Sequence, residues 1–89
     1  MNLLYAKAFW GDLEAISRNP PLKRRLLELI DTLRKTESPE QLQGLRKIEG
    51  YERYYRLRVG DYRLGVKLSG STLELIRFLH RKEIYRRFP

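Results

Sequence analysis

Two short stretches of this chain concentrate side chains that can handle phosphate. The first is Tyr54-Tyr55-Arg56-Leu57-Arg58-Val59-Gly60-Asp61-Tyr62-Arg63-Leu64, and the second is His80-Arg81-Lys82-Glu83-Ile84-Tyr85. Guanidinium is a planar, permanently charged fork that binds phosphate oxygens in pairs. Imidazole can give or take a proton near neutrality. A phenol, with an unperturbed pKa of ~10, works as a base only where nearby cations favour the phenolate. Each residue also has a plainer reading: a histidine here can cap a helix, a tyrosine can fill a core rim, and surplus arginine can simply decorate a solvated face. What favours chemistry is their coincidence.

The charge supports that coincidence. Residues 1–43 carry seven basic and six acidic side chains, whereas residues 44–89 carry twelve basic and five acidic. Thirteen of the nineteen basic residues are arginine. A cationic half rich in arginine and tyrosine points to a polyanionic partner, above all nucleic acid. With 89 residues there is room for one domain spanning residues 1–89, of modest stability. The absence of cysteine excludes a disulfide framework, a thiolate zinc site and a cysteine nucleophile. His80 is the single histidine, so no metal site and no cofactor is expected. Met1 leads into a polar, broken sequence, so neither a signal peptide nor a membrane span is expected, and the expected compartment is the cytoplasm.

The elements that must position these groups follow from periodicity. Asn2 to Ala8 reads as a short first strand, and Phe9, Leu13 and Ile16 give a short helix ending before Asn19-Pro20-Pro21. Asn19 can cap a second helix whose stripe is Leu22, Leu26, Leu29, Ile30 and Leu33. Ser38-Pro39-Glu40-Gln41 fits a capping box for one further turn, closed by Gly44. Thereafter the period changes to two. Leu45 to Ile48, Glu52 to Val59, Tyr62 to Leu68 and Thr72 to His80 read as strands, and Arg81 to Pro89 is too short for an independent element. The expected fold is α+β, with two N-terminal helices packed on one face of a small, mainly antiparallel twisted sheet.

The Gly60-Asp61 loop then fixes a register. Two-residue hairpin loops with glycine first favour a type II′ turn, pairing Val59 with Tyr62, Arg58 with Arg63, Leu57 with Leu64, Arg56 with Gly65 and Tyr55 with Val66. Alternation places Tyr55, Leu57, Val59, Tyr62, Leu64 and Val66 on the face the helices cover, and Tyr54, Arg56, Arg58, Arg63 and Lys67 on the other. Arg58 directly opposite Arg63 is unfavourable unless acids such as Glu49, Glu52 or Glu74 neutralise the pair, or unless a phosphate binds there.

The block R-x-R-x-G-x-Y-R with its downstream H-R-x-x-I-Y resembles the RelE/ParE superfamily of bacterial toxins, and the order of elements agrees over nearly the whole chain. The resemblance implies a toxin of a type II toxin–antitoxin system. RelE-like members are ribosome-dependent endoribonucleases that cut messenger RNA in the A site; ParE-like members poison DNA gyrase. Either kind is held inactive by a small, acidic cognate antitoxin that wraps it, and would meet operator DNA only through that complex. By position, Arg56 corresponds to a basic residue of the family's active strand, Arg63 to the arginine at the scissile phosphate, Arg81 to the arginine ending the last strand, and Tyr85 to the C-terminal tyrosine. Tyr54 and Arg56 stand where RelE-like enzymes often place two lysines. The nuclease branch is the leading expectation, acting without metal by attack of the ribose 2′-OH. Arg56, Arg58 and Arg63 would then stabilise charge, with Tyr54, Arg58 and Lys67 in RNA contact. Arg81 would bind the leaving group's phosphate or protonate it, and Tyr85 or His80 would be the base. A gyrase inhibitor and a non-catalytic nucleic-acid-binding module are the alternatives.

Overall fold

The computed structural model describes residues 1–89. The chain runs β1 (Asn2–Tyr5), α1 (Lys7–Ala15), α2 (Pro20–Lys35), a 3-10 turn (Pro39–Gln41), β2 (Arg46–Lys47), β3 (Tyr54–Val59), β4 (Tyr62–Ser69), β5 (Thr72–His80) and α3 (Arg81–Arg87). The five strands form one sheet in the order β1-β5-β4-β3-β2. Only β1 pairs in parallel, against β5; the rest is an antiparallel meander. This is the expected α+β architecture. No helix is long and apolar enough to cross a membrane.

The second helix forms as its stripe requires. Leu22, Leu26, Ile30 and Leu33 are buried, the Asn19 side chain accepts the Leu22 N–H at 3.3 Å, and both prolines sit in the first turn. Phe9 on α1 and Ile16 at its C-terminal cap are buried toward the sheet. Below the two helices lie Leu57, Val59, Leu64, Val66, Leu73, Leu75 and Phe78, closing the main core. The β3–β4 register runs from Tyr54 opposite Lys67 to Val59 opposite Tyr62, with Arg58 opposite Arg63. Gly60 has φ +59° and Asp61 does not share a positive φ, as a type II′ turn demands.

Four departures from the sequence reading have physical causes. Strand β1 stops at Tyr5 and α1 starts at Lys7, where Tyr5 packs tilted against Phe9 and Trp10, themselves edge-on to each other, and holds the chain at that corner. The capping box does not form: the Ser38 side chain caps nothing, and the Gln41 side-chain Oε1 instead accepts the Glu37 N–H at 3.3 Å. Strand β5 carries a bulge at Ile76, since Gly65 pairs with Arg77 but Val66 pairs with Leu75. The bulge shifts the alternation, so that Leu73, Leu75 and then Phe78 all face the main core.

The fourth departure concerns the last nine residues, which do form an element. Ile84 and Phe88, one helical repeat apart, are buried with Leu79 in a second apolar cluster flanked by Ile48, Tyr54 and Ile76. A seven-residue helix is unstable alone. Docked on the sheet face opposite α1 and α2, it is held by these contacts. Gly65 makes the approach possible: a Cβ there would lie 2.7 Å from a carbon of the Phe88 ring.

One long-range ion pair secures the sheet edge. Strand β1 covers β5 only from Thr72 to Leu75, leaving the Phe78 N–H without a strand partner on that side. Asp12 on α1 takes that N–H at 2.9 Å and also accepts from Arg77 Nε at 2.8 Å and Nη2 at 2.9 Å. Those hydrogen bonds hold the Arg77 guanidinium in its charged form above its ordinary value, against the opposing effect of burial.

Candidate functional site

Four guanidinium groups are carried by three adjacent strands on the face away from α1 and α2. Arg46 on β2 pairs with Arg56 on β3, and Arg58 on β3 pairs with Arg63 on β4. With Gly44 and Tyr85 they line a cleft of about 370 Å³. Helix α3 supplies the tyrosine. Because Ile84 is buried against the sheet, the next residue projects sideways over it, and the Arg56 guanidinium carbon lies 4.9 Å from the centre of the Tyr85 ring. Tyr85 remains 65% exposed, so the ring is positioned without being shut away from a substrate. A cation–π contact of this kind contributes about 0.5–1 kcal/mol at an exposed site, enough to orient a side chain and easily displaced.

The repulsion between Arg58 and Arg63 is relieved by the turn, not by acids. Arg63 Nη1 donates to the carbonyls of Gly60 at 3.0 Å and Tyr62 at 2.9 Å, and Arg58 Nε donates to Gly60 at 3.4 Å. Neither Glu49, Glu52 nor Glu74 forms an ion pair with either arginine; the chain's ion pairs lie elsewhere. The Gly60 carbonyl therefore gathers two guanidinium groups while leaving most of their donors free. Such an array presents anion-binding donors in fixed positions before any ligand arrives.

The structure thus brings together Arg56, Arg58, Arg63 and Tyr85 and adds Arg46. It separates the other candidates. His80 pairs with Tyr62, whose ring is stacked on Phe78 at 5.2 Å, and the imidazole stands edge-on to Tyr62 at 5.5 Å. It therefore sits on the helix-covered side of the sheet, where its Nδ1 accepts the Lys82 N–H at 3.1 Å and caps α3. Arg81 opens α3, its backbone N–H held by the Asp61 carbonyl at 2.8 Å, and its side chain does not line the arginine cleft. Tyr54 is half-buried, edge-on to Phe88 at 5.7 Å, and Lys67 lies 5.8 Å from the centre of its ring. Both stand at the end of the hairpin remote from the Gly60 turn.

A second hollow, of about 610 Å³, adjoins the arginine cleft and shares Arg56 and Tyr85 with it. It runs between the β2–β3 loop and α3, with Ile48, Ile84 and Phe88 among its walls and Tyr51 and Lys47 at its rim. Reading the sequence did not single out Arg46 or Tyr51. Arg46 lay in a recognised strand segment, and its pairing partner Arg56 was the available signal.

Comparisons with known proteins agree on one family. The model of the ParE toxin of type II toxin–antitoxin systems matches residues 3–85. The chain is 39% identical over 90 residues to Toxin RelE3 of Methanocaldococcus jannaschii, covering all of both chains. The toxin in the RelB–RelE antitoxin–toxin complex from Methanococcus jannaschii superposes with a TM-score of 0.79 at 38% identity, over 97% of this chain and 99% of that one. A YoeB/ParE toxin from Agrobacterium tumefaciens shares the fold, with a TM-score of 0.72 at 24% identity over 90% of this chain and 98% of that one.

Proposed function

The chain belongs to the RelE/ParE superfamily of type II toxin–antitoxin toxins, and from that we propose that it is an endoribonuclease cutting messenger RNA on the ribosome. The observation that carries this reading is the gathering of four guanidinium groups around an exposed phenol, with no carboxylate pairing any of them. A phosphate entering the cleft meets Arg63 and Arg58 beside the Gly60 turn and Arg56 and Arg46 next to them. Their charge stabilises the dianionic, five-coordinate phosphorus formed as the ribose 2′-oxygen attacks. Tyr85 is assigned the proton of that 2′-OH. The 2′-oxygen bonds to phosphorus, the bond to the 5′-oxygen breaks, and that oxygen takes a proton from solvent water and leaves as a 5′-OH, giving a 2′,3′-cyclic phosphate; the hydroxide so formed takes back the proton that Tyr85 had accepted. Arg81 is left as a contact to the leaving strand from the edge of the site.

The position of His80 favours Tyr85 as the base. Its ring is on the far side of the sheet from the arginines, and its Nδ1 is occupied by the Lys82 N–H. His80 is better assigned the structural task of starting α3 where Tyr85 will overhang Arg56. Translating ribosomes place the activity in the cytoplasm. A small acidic antitoxin is the partner expected to silence it, by analogy with the RelB bound to the Methanococcus jannaschii RelE, and operator DNA would be met only through that complex.

The test is induction of the toxin followed by primer extension on translated messages, beside a purified gyrase supercoiling assay. Cuts within codons that disappear in Arg63→Ala support the nuclease. Growth arrest with intact messages and inhibited supercoiling would move the protein to the gyrase-directed branch.

A further inference from the structure

We propose that the hollow between the β2–β3 loop and α3 is a nucleobase subsite, in which one unpaired RNA base beside the scissile phosphate stacks on Tyr51. The placement next to the scissile phosphate rests on the nuclease reading; the capacity to hold a base does not. Three observations carry it. The hollow, at about 610 Å³, is continuous with the arginine cleft through Arg56 and Tyr85, so a strand whose phosphate lies on the arginines must send its neighbouring nucleotide into it or past it. Its lining combines the apolar Ile48, Ile84 and Phe88, against which a base would pack, with Lys47 and Arg86, whose charge suits phosphate, and with Glu49. Tyr51 is 48% exposed yet held in orientation, its ring edge-on to Tyr54 at 5.9 Å, which is in turn edge-on to Phe88 at 5.7 Å.

An exposed aromatic ring fixed by a chain of ring contacts is a platform with little left to order on binding. Single-stranded RNA is read by such platforms, because splayed bases stack on aromatic faces while cations track the backbone. The half-exposed Tyr51 ring borders a hollow of mixed apolar and charged lining, a surface suited to a base with its phosphate. Stacking alone tolerates any base. Glu49 and the backbone of the β2–β3 loop are the groups available to prefer one base edge over another.

The probe is a short 2′-O-methyl RNA oligomer, which lacks the attacking hydroxyl and stays intact whether or not the protein is a nuclease. Tyr51→Ala is expected to weaken its binding by roughly 5- to 150-fold, the equivalent of ~1–3 kcal/mol for one stacked base. Tyr51→Phe, which keeps the ring, is expected to bind within about twofold of wild type. In a Trp10→Phe background, Tyr51→Trp places the only indole in the hollow, and stacking should quench its fluorescence on addition of the oligomer. An oligomer with abasic sites should bind wild type and Tyr51→Ala alike. If Tyr51→Ala binds the intact oligomer as tightly as wild type, or the introduced indole is not quenched, the subsite does not exist. On messages, Tyr51→Ala should slow cleavage at every site by a similar factor, since stacking tolerates any base; cleavage at the wild-type rate would overturn the placement beside the scissile phosphate. Messages left uncut with Tyr51-dependent oligomer binding intact would overturn the nuclease reading and retain the base site.

Discussion

Replacing Gly65 by alanine tests how Tyr85 is held over Arg56. The added Cβ would lie 2.7–2.8 Å from three carbons of the Phe88 ring, well inside van der Waals contact. Phe88 cannot yield freely, because it is buried with Ile84 and Leu79 and flanked by Tyr54. Overpacking of this kind costs about 1–3 kcal/mol. Burial of Ile84 and Phe88 contributes roughly 3–6 kcal/mol to docking α3, and a helix this short has no stability of its own. The perturbation is therefore a large share of what keeps α3 in place, while the main core on the other face is untouched. Hydrogen exchange of the Phe88 amide, which donates to the Ile84 carbonyl at 3.0 Å, should accelerate by roughly 5- to 150-fold, with protection in β4 and α2 little changed. Toxicity should fall with it, since Tyr85 leaves the arginines when α3 undocks. Gly65→Ala with wild-type exchange at Phe88 and full toxicity would refute the reasoning.

Other outcomes follow from the same geometry. Asp12→Ala strips the Phe78 N–H and the Arg77 guanidinium of their partner at once; truncating one member of a buried pair costs ~3–5 kcal/mol, so thermal unfolding should shift down by at least roughly 12 °C, and a shift under ~4 °C would mean that water replaces the carboxylate. Arg58→Gln should make the dependence of single-stranded RNA affinity on salt shallower by about 0.7 in log–log slope, the contribution of one phosphate contact, and an unchanged slope would remove Arg58 from the interface. Arg63→Ala relieves repulsion with Arg58 but also gives up two hydrogen bonds to turn carbonyls, so its stability should stay within ~1 kcal/mol of wild type by urea denaturation while toxicity is lost.

What the sequence made legible was whatever local rules decide. Gly60-Asp61 admits one hairpin register, and that register alone put Arg56, Arg58 and Arg63 on the open face. The α2 stripe and its Asn19 cap needed no tertiary information either. Illegible features depended on contacts distant in sequence. The bulge at Ile76 reverses the alternation of β5, so no count along the strand could place His80 beside Tyr62. Helix α3 is built of good helix formers but is too short to stand alone, and it exists because Ile84 and Phe88 find Leu79 and a gap above Gly65. Asp12 and Arg77 meet across most of the chain, around a sheet edge left bare by a four-residue β1. Arg46 belongs to a two-residue strand whose importance comes entirely from its neighbour, Arg56.

The central proposal is that Tyr85 acts as the base beside four arginines. The direct measurement is single-turnover cleavage of messenger RNA in the A site of programmed ribosomes, at saturating toxin, for wild type and Tyr85→Phe. Removing the hydroxyl leaves the ring for Arg56 to rest on, so ribosome affinity should change little. The cleavage rate should fall by about 10²- to 10⁴-fold, as for loss of a general base. Cleavage by Tyr85→Phe at the wild-type rate would contradict the assignment.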